Sequence, residues 1–323
     1  MKTILLTNEG FTSNKLPNQL TTSHNNQECE PRLNLGNLTK RAKSKHITNK
    51  ILYPLIDLNS ELKKSYWNTH YCNVSLLQSG RKITGRFCNN RWCCTCNRIR
   101  TMKLLKGYEP VLKRLTDKYF VTLTVPNVPK DILKDTVNNM FIDFIKIQKT
   151  FQKRKTPIRG IRKIECTYNP FKLNYHPHFH LIISGKNIAE NVVSEWVKRV
   201  PNTNRLAQDY RVADDGSVIE LFKYFTKLIT GKGNNRRIYI VPMDNIFKAM
   251  RGRRVFQPLG IKKDISEDIN EIQSQEYEIE EGEFTWWWEN KLHDWVNLDS
   301  TKKLSGYIPS EKEKELYKNI ILK

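Results

Sequence analysis

Apolar positions alternate in short runs along the middle of the chain and follow a helical period between them. The run KYFVTLTV at 118–125 is alternating and β-branched, which predicts a strand that ends at Pro126. Residues 131–153 predict an amphipathic helix whose apolar side is formed by Ile132, Val137, Met140, Phe141, Phe144, Ile147 and Phe151. The same reasoning predicts strands at 159–168, 177–184 and 208–213 and helices at 99–116, 188–199 and 217–230. A turn at Asn169-Pro170 separates two of the strands, so these two should pair as antiparallel neighbours.

The two ends of the chain have less pattern than the middle. Residues 1–50 are rich in Asn, Thr, Ser and Lys, which predicts a flexible arm. Four regions are expected: this arm over 1–65, a cysteine-rich module at 66–107, a main domain at 108–260 and an accessory region at 261–323. The tryptophans of the last region, at 286–288 and 295, have an acidic setting that favours a small hydrophobic cluster or a partner surface over stacking on unpaired bases.

Charge identifies the first candidate partner. The chain has 55 basic and 33 acidic residues and a net charge of +22, which favours a polyanion such as nucleic acid, with an anionic membrane as the second choice. No apolar run reaches the ~18–20 residues that span a bilayer. The first residues, MKTILLTNEG, are too short an apolar segment for a secretory signal, so a cytoplasmic protein without membrane contact is expected.

The stretch NYHPHFHLIIS at 174–184 carries three of the seven histidines at alternate positions. Side chains two apart on a strand project to the same face, so His178 and His180 should lie together. Neighbouring neutral imidazoles are ligands for a divalent metal, although a pair of surface histidines would show the same spacing. Pairing with the strand at 159–168 could add Glu165 as a carboxylate ligand.

Five of the seven cysteines fall between residues 72 and 96, where metal binding is favoured over disulfides in a cytoplasmic protein. Cys93 and Cys96 form a Cys-x-x-Cys pair, Cys88 lies close upstream and Cys72 is the natural fourth ligand for tetrahedral zinc. Cys94 is spare or replaces one of the four. Basic residues around the cluster predict a phosphate-binding surface that includes Arg91, Arg98 and Arg100.

The predicted helix at 217–230 carries a second group of reactive side chains. Its apolar residues share one broad face, whereas Glu220, Tyr224 and Lys227 lie opposite them. A core tyrosine would lie with the phenylalanines, so Tyr224 is a candidate nucleophile toward a phosphodiester. Ser217 and Glu220 also have the spacing of a capping box, which is a structural alternative for Glu220.

The ordered set of motifs over residues 70–260 resembles the HUH endonucleases, and specifically the single-tyrosine initiators of rolling-circle plasmid replication. The resemblance rests on the cysteine cluster, the strand at 120–127, the strand with Glu165, the run HPHFH at 176–180 and the spacing Glu-x-x-x-Tyr-x-x-Lys at 220–227. The segment MRGRRVFQPLG at 250–260 is similar to the family's motif after the tyrosine helix, and it adds Arg251, Arg253 and Arg254 as expected DNA contacts.

The resemblance implies an α+β fold with a five-stranded antiparallel, RRM-like sheet and packed helices, preceded by the zinc module. It implies that His178 and His180 bind Mg or Mn with Glu165 as third ligand, while His176 either assists or stays outside. Tyr224 would nick one strand at the double-strand origin and carry the 5′ phosphate. Glu220 would activate water in the terminating cleavage, and Lys227 would neutralise the phosphate or the phenolate.

The implied function is that of a plasmid replication initiator, a metal-dependent nicking and joining endonuclease. Its implied partners are single-stranded and origin DNA and the host helicase and polymerase, and its oligomeric state at the origin stays open. Two alternatives remain: a single-tyrosine transposase or relaxase with the same chemistry, and a non-catalytic zinc-containing regulator that binds nucleic acid.

Overall fold

The computed structural model of the protein describes residues 35–222, 236–264, 275–276 and 281–322. The helices are α1 (Leu35–Asp57), α2 (Lys63–His70), α3 (Cys94–Arg114), α4 (Lys130–Lys153), α5 (Lys186–Arg199), α6 (Asp215–Phe222), α7 (Ile240–Met250) and α8 (Glu311–Lys318). The strands are β1 (Ser75–Gly80), β2 (Lys82–Gly85), β3 (Lys118–Thr124), β4 (Gly160–Asn169), β5 (Asn174–Ser184), β6 (Asp209–Val212), β7 (Ile238–Tyr239), β8 (Phe256–Leu259), β9 (Gln275–Glu276), β10 (Gly282–Glu289), β11 (Asp294–Asn297) and β12 (Ile320–Ile321). No helix within these ranges is both long and apolar enough to cross a membrane.

A five-stranded antiparallel sheet forms the centre of the fold. Its strands lie in the order β6-β3-β5-β4-β8, and every neighbouring pair is antiparallel. The strands and helices expected across 118–212 are all present, with boundaries shifted by at most a few residues. The mixed α+β class and the five-stranded antiparallel sheet are therefore confirmed.

One face of this sheet is covered by α4 and α5. Phe179 and Leu181 of β5 point into a large apolar core with the buried side of α4. That side consists of Leu133, Val137, Met140, Phe141, Phe144, Ile147 and Phe151. The prediction was wrong for Ile132, which is 48% exposed, because the helix begins at Lys130 and its first inward position is Leu133.

The opposite face is covered at one end by α3 and α6. Phe120 and Ile182, from adjacent strands β3 and β5, join a separate apolar cluster with Leu112 of α3 and with Leu221 and Phe222 of α6. Alternation along the strands puts the histidines of β5 on this same face, farther along the strand. This face is therefore part apolar core and part polar site.

The hairpin of β4 and β5 is fixed at both ends. At the turn, the Asn169 side-chain oxygen accepts the backbone N–H groups of Phe171 and Lys172, at 3.0 and 3.2 Å. At the other end, a Cβ on Gly160 would lie 1.9 Å from the Ile182 carbonyl oxygen. Only glycine permits this close approach. Both constraints favour a single register between the strands.

The first described residues contradict the flexible arm predicted for residues 1–65. Residues 35–57 form helix α1, whose buried side chains include Leu38, Leu52 and Leu55. Its apolar positions occur without a clear helical period in the sequence, because α1 is contacted by other elements on several sides and also buries polar residues such as Thr48. The prediction for residues 1–34 lies outside the described residues.

The beginning and end of the described chain share a second sheet, in the order β11-β10-β1-β2-β9. β1 pairs with β10 from Ser75 opposite Trp287 to Gly80 opposite Gly282. The accessory region predicted at 261–323 is thus paired with strands of the predicted cysteine-rich module. The expected tryptophan cluster is confirmed: Trp286 and Trp295 are buried with apolar residues of α1 and β1.

A carboxylate of α7 joins this helix to the amino-terminal part of the described chain. Asp244 of α7 accepts hydrogen bonds from the Tyr66 hydroxyl and the Ser60 hydroxyl, both at 2.6 Å. Lys248 balances its charge at 2.9 Å. Burial, followed by this hydrogen bond, raises the pKa of Tyr66 far above its usual value, so the phenol stays protonated and keeps donating. The residues from α1 to α2 are therefore anchored to α7.

We predict that His46 makes the fold sensitive to acid. Its ring is 4% exposed and lies 4.2 Å from that of His293, and burial, aided by the neighbouring charges of His293 and Lys50, lowers its pKa to about 4. His46 binds a proton near pH 6.5 in the unfolded chain but only near pH 4 in the folded chain. Its contribution to the free energy of unfolding is therefore fully present above pH 6.5 and is lost as pH falls toward 4. The loss between about pH 7.5 and about pH 5 should be about 2 kcal/mol.

Urea unfolding of the wild type and of His46→Gln at both pH values checks this prediction. The variant should have a flatter dependence of the free energy of unfolding on pH, by about the same amount. Equal pH dependence of the two proteins would contradict the assignment to His46.

Candidate active site

The histidine strand lies in the middle of the central sheet, between β3 and β4. His180 is opposite Thr122 on β3 and Lys163 on β4, and His178 is opposite Glu165 on β4. Directly paired residues share a face of the sheet, so these side chains meet on the face not covered by α4 and α5. The predicted pairing of Glu165 with the histidines is present in the structure.

Glu165, His178 and His180 form a compact group of possible metal ligands. One ligand atom from each lies within 4.8 Å of the other two, and the His180 Nε2 atom is 3.9 Å from the Glu165 Oε2 atom. Glu165 and His178 are buried, and His180 is nearly so. His176 lies outside this group, and its ring stacks on that of His178 at 5.0 Å.

Contacts to the other ring nitrogens orient the two imidazoles. His178 Nδ1 lies 3.0 Å from the backbone oxygen of His176, which only accepts, so in the neutral ring Nδ1 carries the proton and Nε2 keeps its lone pair. His180 Nδ1 lies 3.2 Å from the Thr122 hydroxyl, which can donate or accept. Such contacts orient both rings, as the partners of metal-binding histidines commonly do, and the contact to the backbone oxygen also selects the tautomer of His178.

The structure adds a buried lysine that the sequence analysis did not identify. Lys163 is 1% exposed, and its Nζ atom lies 3.0 Å from the Glu165 Oε2 atom. It balances the charge of the buried Glu165 carboxylate. The signal was present in the sequence, because Lys163 is two residues before Glu165 on a predicted strand and must share its face.

The donor set fits a divalent cation. Two imidazole nitrogens and a carboxylate oxygen on one side of a site are a recurrent arrangement that leaves further positions for water or substrate. Imidazole favours transition metals, whereas a set of oxygen donors alone would favour Mg²⁺. Glu165, His178 and His180 would hold such a cation.

Of the helix predicted at 217–230, the structure describes residues 217–222, which belong to α6. Tyr224 and Lys227 lie outside the described residues. The Phe222 ring packs against Phe256 of β8 at 5.6 Å, in the apolar cluster on the face that also carries the histidines. The described part of the helix is thus packed on the same side of the sheet as the metal-ligand group.

The predicted capping box is wrong, since α6 begins at Asp215, before Ser217. The Asp214 carboxylate accepts both the backbone N–H and the hydroxyl of Ser217, at 2.7 and 2.6 Å. Glu220 contacts Arg211 of β6 at 3.4 Å and is 47% exposed. Its side chain is therefore accessible at the surface of the helix, where Arg211 is its charged partner among the residues that the structure describes.

The four predicted zinc ligands come together as one cluster. The sulfur atoms of Cys72, Cys88, Cys93 and Cys96 all lie within 4.8 Å of one another. Three of the separations are 3.5, 3.6 and 3.7 Å. Zinc–sulfur bonds of ~2.3 Å in a regular tetrahedron place the sulfurs about 3.8 Å apart, so the cluster fits zinc.

Backbone groups support the four sulfurs. The N–H groups of Cys88, Asn90 and Cys96 each donate to a cluster sulfur at 3.4 Å. The last of these contacts makes Cys93 the N-cap of α3, so this helix begins at Cys94 and not near residue 99. Such second contacts orient the ligands of a structural metal.

Cys94 is separate from the cluster, which resolves the ambiguity left by the sequence. Its backbone N–H donates to the Thr48 hydroxyl of α1 at 3.0 Å. Burial raises the pKa of its thiol to about 11, so the thiol stays protonated. Cys94 is therefore a packing residue between α3 and α1.

A second buried lysine lies beside the cysteine cluster. Lys45 of α1 is 1% exposed, and its Nζ atom donates to the His70 carbonyl oxygen at 2.5 Å. Burial lowers its pKa to about 8, against the opposing effect of the four cysteines. A cation there offsets the negative charge of a four-thiolate zinc site. No pattern in the sequence pointed to this lysine, because α1 has no recognisable apolar stripe.

The six predicted DNA-binding arginines differ in exposure and in their hydrogen bonds. Arg91 donates to the Met250 carbonyl oxygen at 3.3 Å, and Arg100 donates to Asn89 and Asn97 within the cysteine module. Arg253 donates to Asn138 of α4. Arg251 and Arg254 are exposed, and Arg98 of α3 is half-buried.

We predict that Cys93→Ser releases the metal from the cysteine cluster and Cys94→Ser does not. Cys93 would provide one of four thiolates, whereas Cys94 is buried outside the cluster. Elemental analysis should find about one zinc per chain in the wild type and in Cys94→Ser, and much less in Cys93→Ser. Hydrogen exchange should also be faster near the cluster in Cys93→Ser. Equal zinc content in both variants would contradict the ligand assignment.

Comparison with known proteins connects this geometry to a family. Residues 80–187 match the family model described as replication protein. A protein named Protein rep from Streptococcus pneumoniae is 26% identical over 202 residues, covering 55% of this chain and 62% of the relative. A relative with the same name from Bacillus amyloliquefaciens is 26% identical over 223 residues, covering 57% of this chain and 65% of the relative. Another from Staphylococcus aureus is 34% identical over 117 residues, covering 33% of this chain and 49% of the relative.

The matches confirm the resemblance to replication proteins that the motifs indicated. The aligned regions span less than two thirds of the length of the first two relatives. The family model includes Glu165, His178 and His180 and the cysteines at 88, 93 and 96, whereas Cys72 and Tyr224 lie outside it. No solved structure matches the chain.

Proposed function

The chain resembles replication proteins over the segment that contains its metal-ligand group, and from this premise we propose that it initiates rolling-circle replication of a plasmid. It would nick one DNA strand at the double-strand origin, remain linked to the 5′ end and rejoin the strand at termination. The central sheet would then be that of an HUH endonuclease.

One observation carries this proposal. The register of β4 and β5 brings Glu165, His178 and His180 within 4.8 Å of one another on one face of the sheet. Helix α6, whose last residue Phe222 is two positions before Tyr224 in the sequence, packs on that same face. A cation site and a candidate nucleophile on one side of a sheet are the parts that a phosphoryl-transfer site needs.

The proposed reaction exchanges one phosphodiester for another. The Tyr224 oxygen attacks the scissile phosphorus, and the bond from phosphorus to the 3′ oxygen breaks. The leaving oxygen takes up a proton and becomes a free 3′ hydroxyl, while the phenolic proton passes to solvent or a nearby base. A bound Mg²⁺ or Mn²⁺ would polarise the phosphate and stabilise the charge that develops on its oxygens.

The remaining site residues have supporting roles in the proposal. Lys163 balances the buried Glu165 carboxylate and thereby preserves the position of that ligand. Glu220, exposed beside Arg211, is accessible for activating water in the terminating cleavage. Lys227 would neutralise the phosphate or the phenolate.

DNA is the substrate in this proposal, and a host helicase and polymerase would extend the 3′ hydroxyl. The net charge of +22 gives the chain a strong affinity for polyanions. Arg251 and Arg254 are exposed in the loop between α7 and β8 and are suited to phosphate contacts. The cysteine cluster, with structural zinc, would fix the module that carries α2 and the start of α3.

We predict that Tyr224→Phe abolishes a covalent protein–DNA adduct, because phenylalanine lacks the attacking oxygen. Purified protein is mixed with a single-stranded oligonucleotide that carries the plasmid's nick site, in the presence of Mn²⁺, and run on a denaturing gel. The wild type should give a slow adduct that disappears with chelator.

Tyr210→Phe is the matched control, since Tyr210 lies on the edge strand β6 and its hydroxyl bonds to Glu190. This control should form the adduct at the wild-type level. An adduct that persists in Tyr224→Phe would contradict the assignment of the nucleophile, and tight binding without any adduct would contradict the nicking function.

A further inference from the structure

Helix α2 carries large aromatic side chains on its outer side. Its inner side is formed by buried Leu62, Tyr66 and Thr69. Trp67 is 40% exposed, and Tyr71, the residue that ends the helix, is 58% exposed. The outer side of an amphipathic helix normally carries polar residues, so two exposed aromatic rings there are unusual.

These rings are part of a continuous surface that extends onto α1. Trp67 stacks with Tyr71 at 6.2 Å between centroids and 25° between planes, and it meets His70 edge-on at 5.5 Å. Tyr53 of α1, 40% exposed, lies 5.5 Å from His70. We call Tyr53, Trp67, His70 and Tyr71 the aromatic strip.

The strip is held rigidly from beneath. The His70 carbonyl oxygen accepts the hydrogen bond of the buried Lys45, and Cys72 of the sulfur cluster follows Tyr71 directly. Asn290 donates to the Tyr53 hydroxyl at 3.1 Å. A preorganised surface loses little conformational entropy on binding, which favours its use as a binding platform.

The surroundings of the strip favour an anionic partner. Three exposed lysines lie one helical turn before residues of the strip. Lys50 precedes Tyr53 in α1, and Lys63 and Lys64 precede Trp67 in α2. Two exposed carboxylates lie close to these lysines in the sequence: Asp57 at the end of α1 and Glu61 in the connection to α2. The local balance is therefore positive, on a chain whose net charge is +22.

We propose that the aromatic strip binds unpaired bases of single-stranded DNA. This inference builds on the proposed function and adds a DNA-contact surface on α1 and α2, elements other than the strands of the metal-ligand group. Every base has a π-face that stacks on aromatic rings whatever its sequence, and the neighbouring lysines would attract the phosphates. Such a surface would hold strand that has become unpaired at the origin.

The test measures binding alone, in a Tyr224→Phe background so that no covalent link contributes. The full-length protein is titrated into a fluorescently labelled oligo-dT of about 16 nucleotides, long enough for a single-strand site. The comparison is between Trp67→Phe, which keeps a ring, and Trp67→Leu, which keeps an apolar side chain without one. Leu77→Ala is the control, because Leu77 is 59% exposed on β1 outside the strip.

The expected result is a roughly tenfold loss of affinity for Trp67→Leu, with near wild-type affinity for Trp67→Phe and for the control. Zinc content should be the same in all variants, which shows that the module is folded. Wild-type affinity in Trp67→Leu would overturn the proposal and would leave the strip as a surface for a protein partner.

The adduct assay on the wild type separates this inference from the proposed function. If the wild type formed the adduct and Trp67→Leu bound DNA as tightly as the parent, only the proposed role of the strip in DNA binding would be overturned. If binding depended on the Trp67 ring but the wild type never formed an adduct, the proposed role of the strip would be supported and the proposed nicking activity would be overturned.

Discussion

The antiparallel register of β4 and β5 is the constraint on which the candidate site depends. It places Glu165 opposite His178 and Lys163 opposite His180, so that a carboxylate, two imidazoles and an ammonium share one face of the sheet. A shift by one residue would turn the Glu165 side chain to the apolar face under α4. Gly160 and the turn at Asn169 fix the two ends of the pairing, which makes local backbone geometry a determinant of the chemistry.

The cysteine cluster has the corresponding role for the amino-terminal part of the described chain. Its four sulfurs tie the segment after α2, the loop before α3 and the first turn of α3 into one unit. Lys45 of α1 donates a hydrogen bond to the His70 carbonyl oxygen beside that unit. Strand β10, which is distant in the sequence, pairs with β1. The clustered sulfurs and the sheet pairing between distant segments thus supplement the apolar contacts that α1 and α2 make with the main core.

The sequence predicted best the features that depend on local periodicity. Alternation placed His178 and His180 together, and spacing selected the cysteines of the cluster. Long-range pairing carries no such signal, which is why the sheet that joins the cysteine-rich module to the accessory region was missed. Helix α1 was missed for a related reason, because polar side chains such as Lys45 are buried by partners that the sequence does not reveal. Lys163 could have been found by applying strand alternation one step further.

Mn²⁺ binding, measured by electron paramagnetic resonance, shows whether the register of β4 and β5 builds a cation site, since free Mn²⁺ loses its signal when it binds. We expect about one site per chain in the zinc-loaded wild type and an affinity at least roughly tenfold weaker in His180→Ala. His176→Ala, which alters the neighbouring ring outside the ligand group, should bind as the wild type does. Equal binding by the two variants, or no binding by the wild type, would contradict the claim that this register builds a cation site.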